Sequence, residues 1–400
     1  MFFSVLSQMG YLLLSPLFWA VVALIWWQNN RLAKQKSEFF HLPKEKVWRK
    51  TLQSVAFGLL GGFIGSMLML ILGLDIASIG IEYLWIIALI LALINPRFIC
   101  FAYSGGILIA ANALFGVPEL NAPQLLALIG VLHFVEGTLV YFAGHLQAMP
   151  IYVKWHDGRI IGGFNMQNFW PLPLIALMLQ EGIGESAFMA MPEWWPLLNS
   201  AEIHAENIMY LLVAVIAALG YSDIALVHKV RWKSKKSAEY LLIYGAVIIG
   251  LAVIMEQGHW WNAIIALAAP LGHELIIHLG QRMEKNGEPL YVQPERGVMI
   301  LDVLEGLPAQ KMGLKPQDII LAVNAKDINS YRELLFFSDS YNEILLKRGN
   351  AYRHFKLNSH AEKWGIIPVP NTSGGRYLYF GGNFHFLKVL QKKLKKLFKK

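Results

Sequence analysis

The chain has few charged residues and a single cysteine. Asp, Glu, Lys and Arg make up 16% of its 400 residues, whereas a soluble domain usually carries about 25%. Cys100 is the one cysteine, so an intrachain disulfide is excluded and no oxidising compartment is implied. The first ten residues contain no Lys or Arg and no clear cleavage site, so we expect no removable signal peptide. The low content of charged residues indicates a membrane protein.

Apolar residues, in contrast, make up 56% of the chain, and the mean hydropathy is +0.44. Apolar runs of near-spanning length recur along residues 1–280 and predict an α-helical polytopic membrane bundle of eight or nine spans. The sixth run is the weakest, because Pro171 and Pro173 leave few clean helical turns. The nine runs cover residues 9–27, 52–74, 79–95, 98–115, 125–147, 166–181, 208–227, 239–256 and 260–279.

The charges between the runs predict the orientation. Residues 28–50 carry seven Lys or Arg against two Glu, and residues 228–236 carry five with no acid. Residues 181–207 carry five Glu and no Lys or Arg. Because cytoplasmic loops are enriched in Lys and Arg, we expect the two basic loops inside and the acidic loop outside. Nine spans with the N-terminus outside place all three loops on the expected side of the membrane and leave residues 280–400 in the cytoplasm.

The remaining part of the chain, residues 281–375, is predicted to be a small α+β domain. Apolar, β-branched stretches predict strands at 290–292, 298–303 and 319–323. Pro308 to Met312 is predicted to form a short helix that Gly313 ends. Ser330 with Glu333 forms a capping-box pattern that predicts a helix over 330–338. A hairpin is expected over 343–357, around Arg348-Gly349-Asn350.

This order of elements resembles a PDZ domain, a peptide-binding fold. Leu307-Pro308-Ala309, Met312-Gly313-Leu314 and Gln317-Asp318-Ile319-Ile320 stand where the family has Ser-Pro-Ala, Ala-Gly-Leu and Gly-Asp-X-Ile. The resemblance implies that a partner peptide adds a strand beside the helix 330–338. Trp364-Gly365-Ile366-Ile367 is similar to the family's carboxylate-binding loop if the domain is circularly permuted. The implied peptide-binding residues are Leu334, Leu335, Phe337, Gly365 and Ile366.

The last segment, residues 376–400, is basic. It carries eight Lys or Arg and no acid, which equals the formal net charge of +8 for the whole chain. Apolar residues recur there at spacings of three and four, which predicts a basic amphipathic helix. We expect this helix to lie on anionic inner-leaflet lipids. A solvated basic end is the alternative, and nucleic acid is disfavoured because no nucleic-acid-binding fold accompanies the charge.

The polar residues of the apolar runs suggest a zinc protease, but their spacing argues against it. His273-Glu274 and His278 are similar to a zinc-binding His-Glu-x-x-His motif. Five residues apart on a helix, however, the two imidazoles diverge by about 140°. The favoured role of such residues is polar packing between helices. An ion or proton pathway is the alternative, through Glu82, His133, Glu136, Asp223 and His273. We therefore predict no catalytic residue, no metal ligand and no cofactor.

The whole chain is similar to the MinJ family of cell-division topological determinants. The resemblance rests on the length, the basic loop after the first span, the multi-span bundle and the single PDZ domain with Leu307–Leu314 and Trp364–Pro370. It implies a non-enzymatic membrane scaffold, at cell poles and the division septum, that recruits DivIVA-like and MinD-like proteins through the PDZ domain and inner loops. Homo-oligomerisation is left open. The alternative is a membrane-embedded protease, or a protease regulator that presents substrates.

Overall fold

The computed structural model of the chain describes most of its residues. The described residues are 2–40, 45–181, 195–198, 208–255, 258–337, 342–357 and 364–370. The predicted basic tail therefore lies outside them, as does most of the acidic loop 181–207.

Residues 2–285 form nine α-helices and a three-stranded sheet among the described residues. The helices are α1 (Phe2–Leu14), α2 (Pro16–Phe40), α3 (Trp48–Leu72), α4 (Ile81–Ile94), α5 (Phe101–Phe115), α6 (Ala122–Ala143), α7 (Val230–Ile254), α8 (Asn262–Ala266) and α9 (Ala268–Lys285). A 3₁₀ turn, Pro96–Ile99, joins α4 to α5. The predicted domain boundary at residue 280 falls inside α9.

The prediction of eight or nine helical spans is wrong. In the described part of the chain, four helices are long and apolar enough to cross a membrane, namely α3, α6, α7 and the pair α8–α9. A fifth is added if α1 and α2, which meet at 69°, count as one broken span. The third and fourth predicted spans are α4 and α5, which have only 14 and 15 residues. The sixth and seventh are strands.

These strands form an antiparallel sheet of β1 (Ala148–Lys154), β2 (Ile160–Glu181) and β3 (Ile208–Ala225). β2 and β3 pair from Phe164–Ala225 to Glu181–Ile208. A buried strand and a membrane helix are both continuous apolar runs, so periodicity could not distinguish them. The two prolines that weakened the helix prediction fit a strand here, because the edge of β2 opposite β3 faces α3 rather than another strand at that height.

A stripe of small residues on α3 lets that helix approach β2 closely. A Cβ atom added at Gly58 would lie 2.1 Å from the carbonyl oxygen of Pro171, and one at Gly62 would lie 2.3 Å from that of Pro173. Further along the strand edge, the Ile175 N–H donates to Ser66 Oγ at 2.8 Å, and the Leu179 N–H donates to Asp75 Oδ1 at 3.0 Å. α3 and its following turn therefore satisfy backbone groups that lipid could not.

The C-terminal domain has the predicted elements. They are β4 (Val298–Val303), α10 (Pro308–Lys311), β5 (Ile319–Val323), β6 (Lys326–Asp327), α11 (Tyr331–Leu335), β7 (Asn342–Arg348), β8 (Ala351–Leu357) and β9 (Ile366–Pro368). The sheet order is β8-β7-β5-β4-β9, with β6 paired to β5. Gly313 takes the left-handed conformation that ends α10, at φ +80°. The predicted strand at 290–292 is absent, because Tyr291 forms only an isolated bridge to Gly162.

A buried ion pair stabilises this domain. Arg348 donates from Nε and Nη2 to the two carboxylate oxygens of Asp318, each at 2.6 Å. Asp318 is almost fully buried, and its pairing raises the pKa of the Arg348 guanidinium. Gln317, just before it, has φ +73°, a left-handed conformation that favours the glycine found there in the family. The Leu-Pro-Ala to Asp-Ile-Ile stretch therefore has the PDZ geometry despite this replacement.

The C-terminal domain packs against one end of the membrane region. The Tyr152 hydroxyl donates to the Pro368 carbonyl oxygen at 2.8 Å, and Lys36 forms a 3.7 Å ion pair with Asp302. Trp195 lies at the opposite end of α3, where its indole N–H donates to the Leu70 carbonyl oxygen at 2.7 Å. Residues 45–47 precede α3, and Trp195 of the acidic loop lies at its other end. The two are therefore separated by the length of that helix, about 37 Å for its 25 residues.

Candidate functional site

The candidate peptide site is the edge strand β9 beside the helix α11. β9 pairs antiparallel with β4 and has no second strand neighbour among the described residues. Ile366 of β9 and Leu334 of α11 both belong to the hydrophobic core of the domain. Trp364-Gly365 immediately precedes β9, so the sequence similar to a carboxylate-binding loop stands at the start of the edge strand. This arrangement fits the expectation of a circularly permuted PDZ domain.

Alternate residues of β9 direct their backbone groups to the open edge. The Leu304 N–H donates to the Gly365 carbonyl oxygen, and the Val369 N–H donates to the Met299 carbonyl oxygen, both at 2.8 Å. These bonds face β4, so Ile366 and Pro368 between them direct their backbone groups away from it. Pro368 has no N–H, and Tyr152 already occupies its carbonyl oxygen. Ile366 is therefore the residue of β9 that offers both a donor and an acceptor to an added strand.

The five predicted binding residues do not share one surface. Leu334 is 1% exposed and belongs to the core, whereas Leu335 is 36% exposed. Phe337 packs at the margin of that core. Gly365 has φ +79°, and a Cβ atom there would lie 2.6 Å from the Leu307 side chain. Ile366 is buried as a side chain, so its contribution to an edge is through the backbone.

Tyr331, the first residue of α11, was missed by the sequence prediction. Burial raises the pKa of Tyr152 above its ordinary range, and the charge of Tyr331 raises it further. Ser330 begins the helix by accepting the Glu333 N–H at 3.3 Å, and the Asn329 N–H donates to the Glu333 carboxylate at 2.9 Å. The Asn329 bond lowers the pKa of Glu333.

Charged residues connect the site to the basic segment before α3. Burial alone would raise the pKa of Glu45, but Lys36 and Lys50, each 2.7 Å away, lower it to about 2. Lys36 also pairs with Asp302 of β4, whose pKa is raised because burial outweighs that attraction. Two carboxylates, Glu45 and Asp302, thus compete for the ammonium group of Lys36 at the junction of the PDZ domain and the membrane region.

The suspected protease motif is not assembled. His273 lies beside His133 and Cys100, not beside His278, in the cation-binding geometry found among the described residues. Glu274, the residue that would serve as a base, is paired with Arg97 and accepts the Tyr103 hydroxyl at 2.6 Å.

Asp223, one of the residues of the alternative ion pathway, has polar partners of its own. Asp223 pairs with the buried Lys233 at 2.8 Å and accepts the Ser237 hydroxyl at 2.6 Å. Asp223 also accepts the Tyr221 hydroxyl at 3.3 Å, so it forms a polar cluster with Lys233, Ser237 and Tyr221.

Comparison with known proteins agrees with this geometry. The PDZ domain family model matches residues 279–336. The cell division topological determinant MinJ of Bacillus subtilis (strain 168) is 23% identical over 363 residues, which cover 84% of this chain and 87% of the relative. A probable cell division topological determinant MinJ of Lacticaseibacillus paracasei is 21% identical over 339 residues, covering 81% and 86%. The apolar helices fit membrane association. The chain is therefore a MinJ-like protein with a PDZ domain.

Proposed function

We propose that this protein is a membrane scaffold in bacterial division-site selection, which recruits cytoplasmic division proteins to the cell pole and septum. The observation that carries the proposal is the edge strand β9 beside α11, in a chain similar to MinJ over most of its length. A strand edge with one free donor and acceptor pair suits a short extended peptide. The PDZ domain is thus the recruiting element, and the bundle keeps it at the membrane.

The proposed partners are DivIVA-like and MinD-like division proteins. Lys36 of α2 and Arg49 of α3, both among the basic residues of 28–50, pair with Asp302 and Glu305 of the PDZ domain, so both surfaces face the same side. A partner that bound the PDZ edge would therefore also meet a positively charged inner loop. The basic tail, residues 376–400, supplies a further contact with anionic inner-leaflet lipids, argued from its charge alone.

The proposed orientation places the PDZ domain and the basic loops in the cytoplasm. The number of helical spans is smaller than predicted, but β2 and β3 take the place of two predicted helices. Because these two strands are antiparallel, the segments before β2 and after β3 lie on the same side, as they would with two helices. The described parts of both basic segments, residues 28–40 with 45–50 and residues 228–236, adjoin the PDZ end of the molecule. Both features support a multi-pass protein whose positive charges are inside.

We further propose that the protein acts without catalysis. Glu274 is engaged by Arg97 and Tyr103, and His278 does not join His273, so the residues of a His-Glu-x-x-His protease are not arranged for peptide hydrolysis. A protease regulator would use the same edge strand of the PDZ domain to bind its partner. It would differ from a scaffold because it would change the cleavage of another membrane protein. Quantifying membrane-protein fragments in cells with and without this chain separates the two functions.

The recruiting role is tested by a charge on the exposed part of α11. Leu335→Lys should abolish co-purification of DivIVA-like and MinD-like proteins with the full chain, and septal localisation of those fluorescent partners, while the protein level stays unchanged. Leu335 is chosen because Leu334 is a core residue, at which a buried ammonium group would unfold the domain. Tyr352→Lys is the matched control, since Tyr352 is 65% exposed on β8, the opposite edge of the sheet.

The outcomes of this experiment distinguish the surfaces. Loss of recruitment with Leu335→Lys alone supports the groove of β9 and α11. Loss with Tyr352→Lys alone would move the contact to the other edge of the sheet. Full recruitment by both variants would overturn the PDZ assignment and leave the basic loops as the recruiting surface.

A further inference from the structure

Three potential metal ligands from distant parts of the chain converge between α5, α6 and α9. They are Cys100, directly before α5, His133 in α6 and His273 in α9. One ligand atom of each lies within 4.8 Å of the others. The Cys100 sulfur is 3.2 Å from His133 Nε2, and the two imidazole centroids are 5.3 Å apart. His133 is buried, and the other two side chains are half-buried.

The tautomer of His133 is set by its backbone contact. Its Nδ1 lies 2.7 Å from the Ile129 carbonyl oxygen, one turn earlier in α6. Because a carbonyl only accepts, Nδ1 carries the proton and Nε2 carries the lone pair. That lone pair faces the Cys100 sulfur. In known metal sites, ligating histidines usually donate their second ring N–H to a carbonyl or carboxylate in this way.

The tautomer of His273 is set by a chain of polar groups. The Tyr103 hydroxyl donates to the Glu274 carboxylate at 2.6 Å, and Glu274 also pairs with Arg97. With its proton committed to Glu274, the Tyr103 oxygen accepts from His273 Nδ1 at 3.1 Å. Nδ1 is then protonated and Nε2 holds the lone pair. Both imidazoles therefore present the unprotonated nitrogen that a metal requires, each oriented by a different element.

We propose that Cys100, His133 and His273 bind a Zn²⁺ ion. Thiolate and imidazole are the ligands that Zn²⁺ favours, and three protein ligands are sufficient when a water completes a tetrahedron. With Zn–S about 2.3 Å and Zn–N about 2.0 Å, neighbouring ligand atoms of such a site lie roughly 3.5 Å apart. The Cys100–His133 distance already has that size, and the ligand atom of His273 lies within 4.8 Å of both. On binding, the Cys100 thiol forms the S–Zn bond and releases its proton to solvent.

The site would cross-link three helices rather than activate a substrate. α5, α6 and α9 come from widely separated parts of the chain, and one ion would join all three through direct bonds. The Arg97–Glu274 pair lies half-exposed beside the cluster, which gives the ion a polar entry. Because a ligand that binds only the folded state stabilises it, Zn²⁺ should make this junction of helices harder to separate.

The single cysteine makes the test specific. The detergent-purified full chain, with an affinity tag that lacks histidine, is stripped with a chelator and titrated with Co²⁺ and then Zn²⁺. We expect about one equivalent of Co²⁺ to produce a thiolate-to-cobalt charge-transfer band in the near ultraviolet, which Zn²⁺ then removes. The band can arise only from Cys100, since the chain has no other cysteine.

Variants assign the remaining ligands. Cys100→Ser should abolish the band, and His133→Ala or His273→Ala should weaken Co²⁺ binding at least tenfold. Tyr103→Phe, which leaves His273 unoriented, should weaken it by about 10–100-fold. His278→Ala is the matched control on the same helix and should bind like the unmodified chain. The absence of a band in the unmodified chain would overturn the proposal, as would a band that survives unchanged in both the His133→Ala and the His273→Ala variants.

Discussion

The Tyr152 hydroxyl donates a 2.8 Å hydrogen bond to the carbonyl oxygen of Pro368, and this bond joins the membrane-region sheet to the edge strand of the PDZ domain. Phe39 and Phe40, at the end of α2, pack edge-to-face on the Tyr152 ring. The membrane region therefore contacts the PDZ groove directly, because Tyr152 occupies the outward carbonyl oxygen of Pro368 in β9. An added strand that pairs with Ile366 would meet Tyr152 two residues later.

Removing the Tyr152 hydroxyl should loosen the edge strand. Tyr152→Phe keeps the aromatic packing but deletes a bond worth about 1 kcal/mol, so the segment 364–370 should open several-fold more often. Hydrogen exchange with mass spectrometry on the full chain measures this opening. Tyr352→Phe on β8 is the control and should leave the exchange of 364–370 unchanged. Equal exchange rates in Tyr152→Phe and the unmodified chain would mean that the bond does not hold β9.

The carboxylate of Glu45 predicts acid sensitivity at the junction with the PDZ domain. Its pKa is lowered from 4.5 to about 2, because Lys36 and Lys50 outweigh the effect of burial. A carboxyl whose pKa is lower when folded stabilises the folded state above its ordinary pKa, and that contribution is lost as pH falls from about 4.5 towards 2. We therefore expect the amides of residues 45–50 to lose protection in this range, measured relative to their intrinsic exchange rates at each pH.

Glu45→Gln should remove that pH dependence and give the faster exchange already at neutral pH. Glu305→Gln is the control, since Glu305 is largely exposed and its contact with Arg49 is 4.0 Å long. A fragment 45–50 that keeps the same acid sensitivity in Glu45→Gln would assign the effect to another group.

Sidedness can be read from two exposed positions at opposite ends of α3. In a Cys100→Ser background, Lys46→Cys precedes α3 on the PDZ side, and Leu197→Cys lies next to Leu198, whose N–H donates to the Leu72 carbonyl oxygen. An impermeant maleimide should label position 197 in intact cells and position 46 only after permeabilisation. Labelling of position 46 but not 197 in intact cells would invert the proposed orientation.

The PDZ domain was predictable because its signals are local. Gly313 after a short helix, Ser330 with Glu333, and Gly349-Asn350 between two strands each determine a few residues of backbone without help from distant parts of the chain. The structure has each of these features at those residues. The groove was harder to predict, because whether Leu334 or Leu335 faces outward depends on where α11 packs.

The membrane region was less predictable for a physical reason. Residues 169–179 and 208–221 are almost continuously apolar, which is equally typical of a membrane helix and of a strand buried on both sides. What distinguishes them is α3, since its glycines accept a strand edge bearing Pro171 and Pro173. The convergence of Cys100, His133 and His273 has the same origin, because tertiary packing alone brings those positions together.

The glycine stripe of α3 offers the most direct test of this hairpin. Ala is favoured over Gly in a helix by about 1 kcal/mol, so a Gly→Ala change stabilises a helix wherever a methyl group fits. At Gly250 of α7, nothing lies within 4 Å of the added Cβ, whereas at Gly62 the Cβ would lie 2.3 Å from the Pro173 carbonyl oxygen. Gly250→Ala should therefore be neutral or stabilising. Gly62→Ala should destabilise by about 1–3 kcal/mol, the usual cost of overpacking.

Thermal unfolding of the full chain in detergent measures both variants side by side. The expected result is a lower midpoint for Gly62→Ala and an equal or higher midpoint for Gly250→Ala. The comparison is informative because both glycines lie within long apolar helices, so the intrinsic helix preference cancels and the strand carbonyl remains as the difference. If Gly62→Ala raised the midpoint as Gly250→Ala does, α3 would not contact a strand at that position, and residues 166–181 would again be best described as a helix.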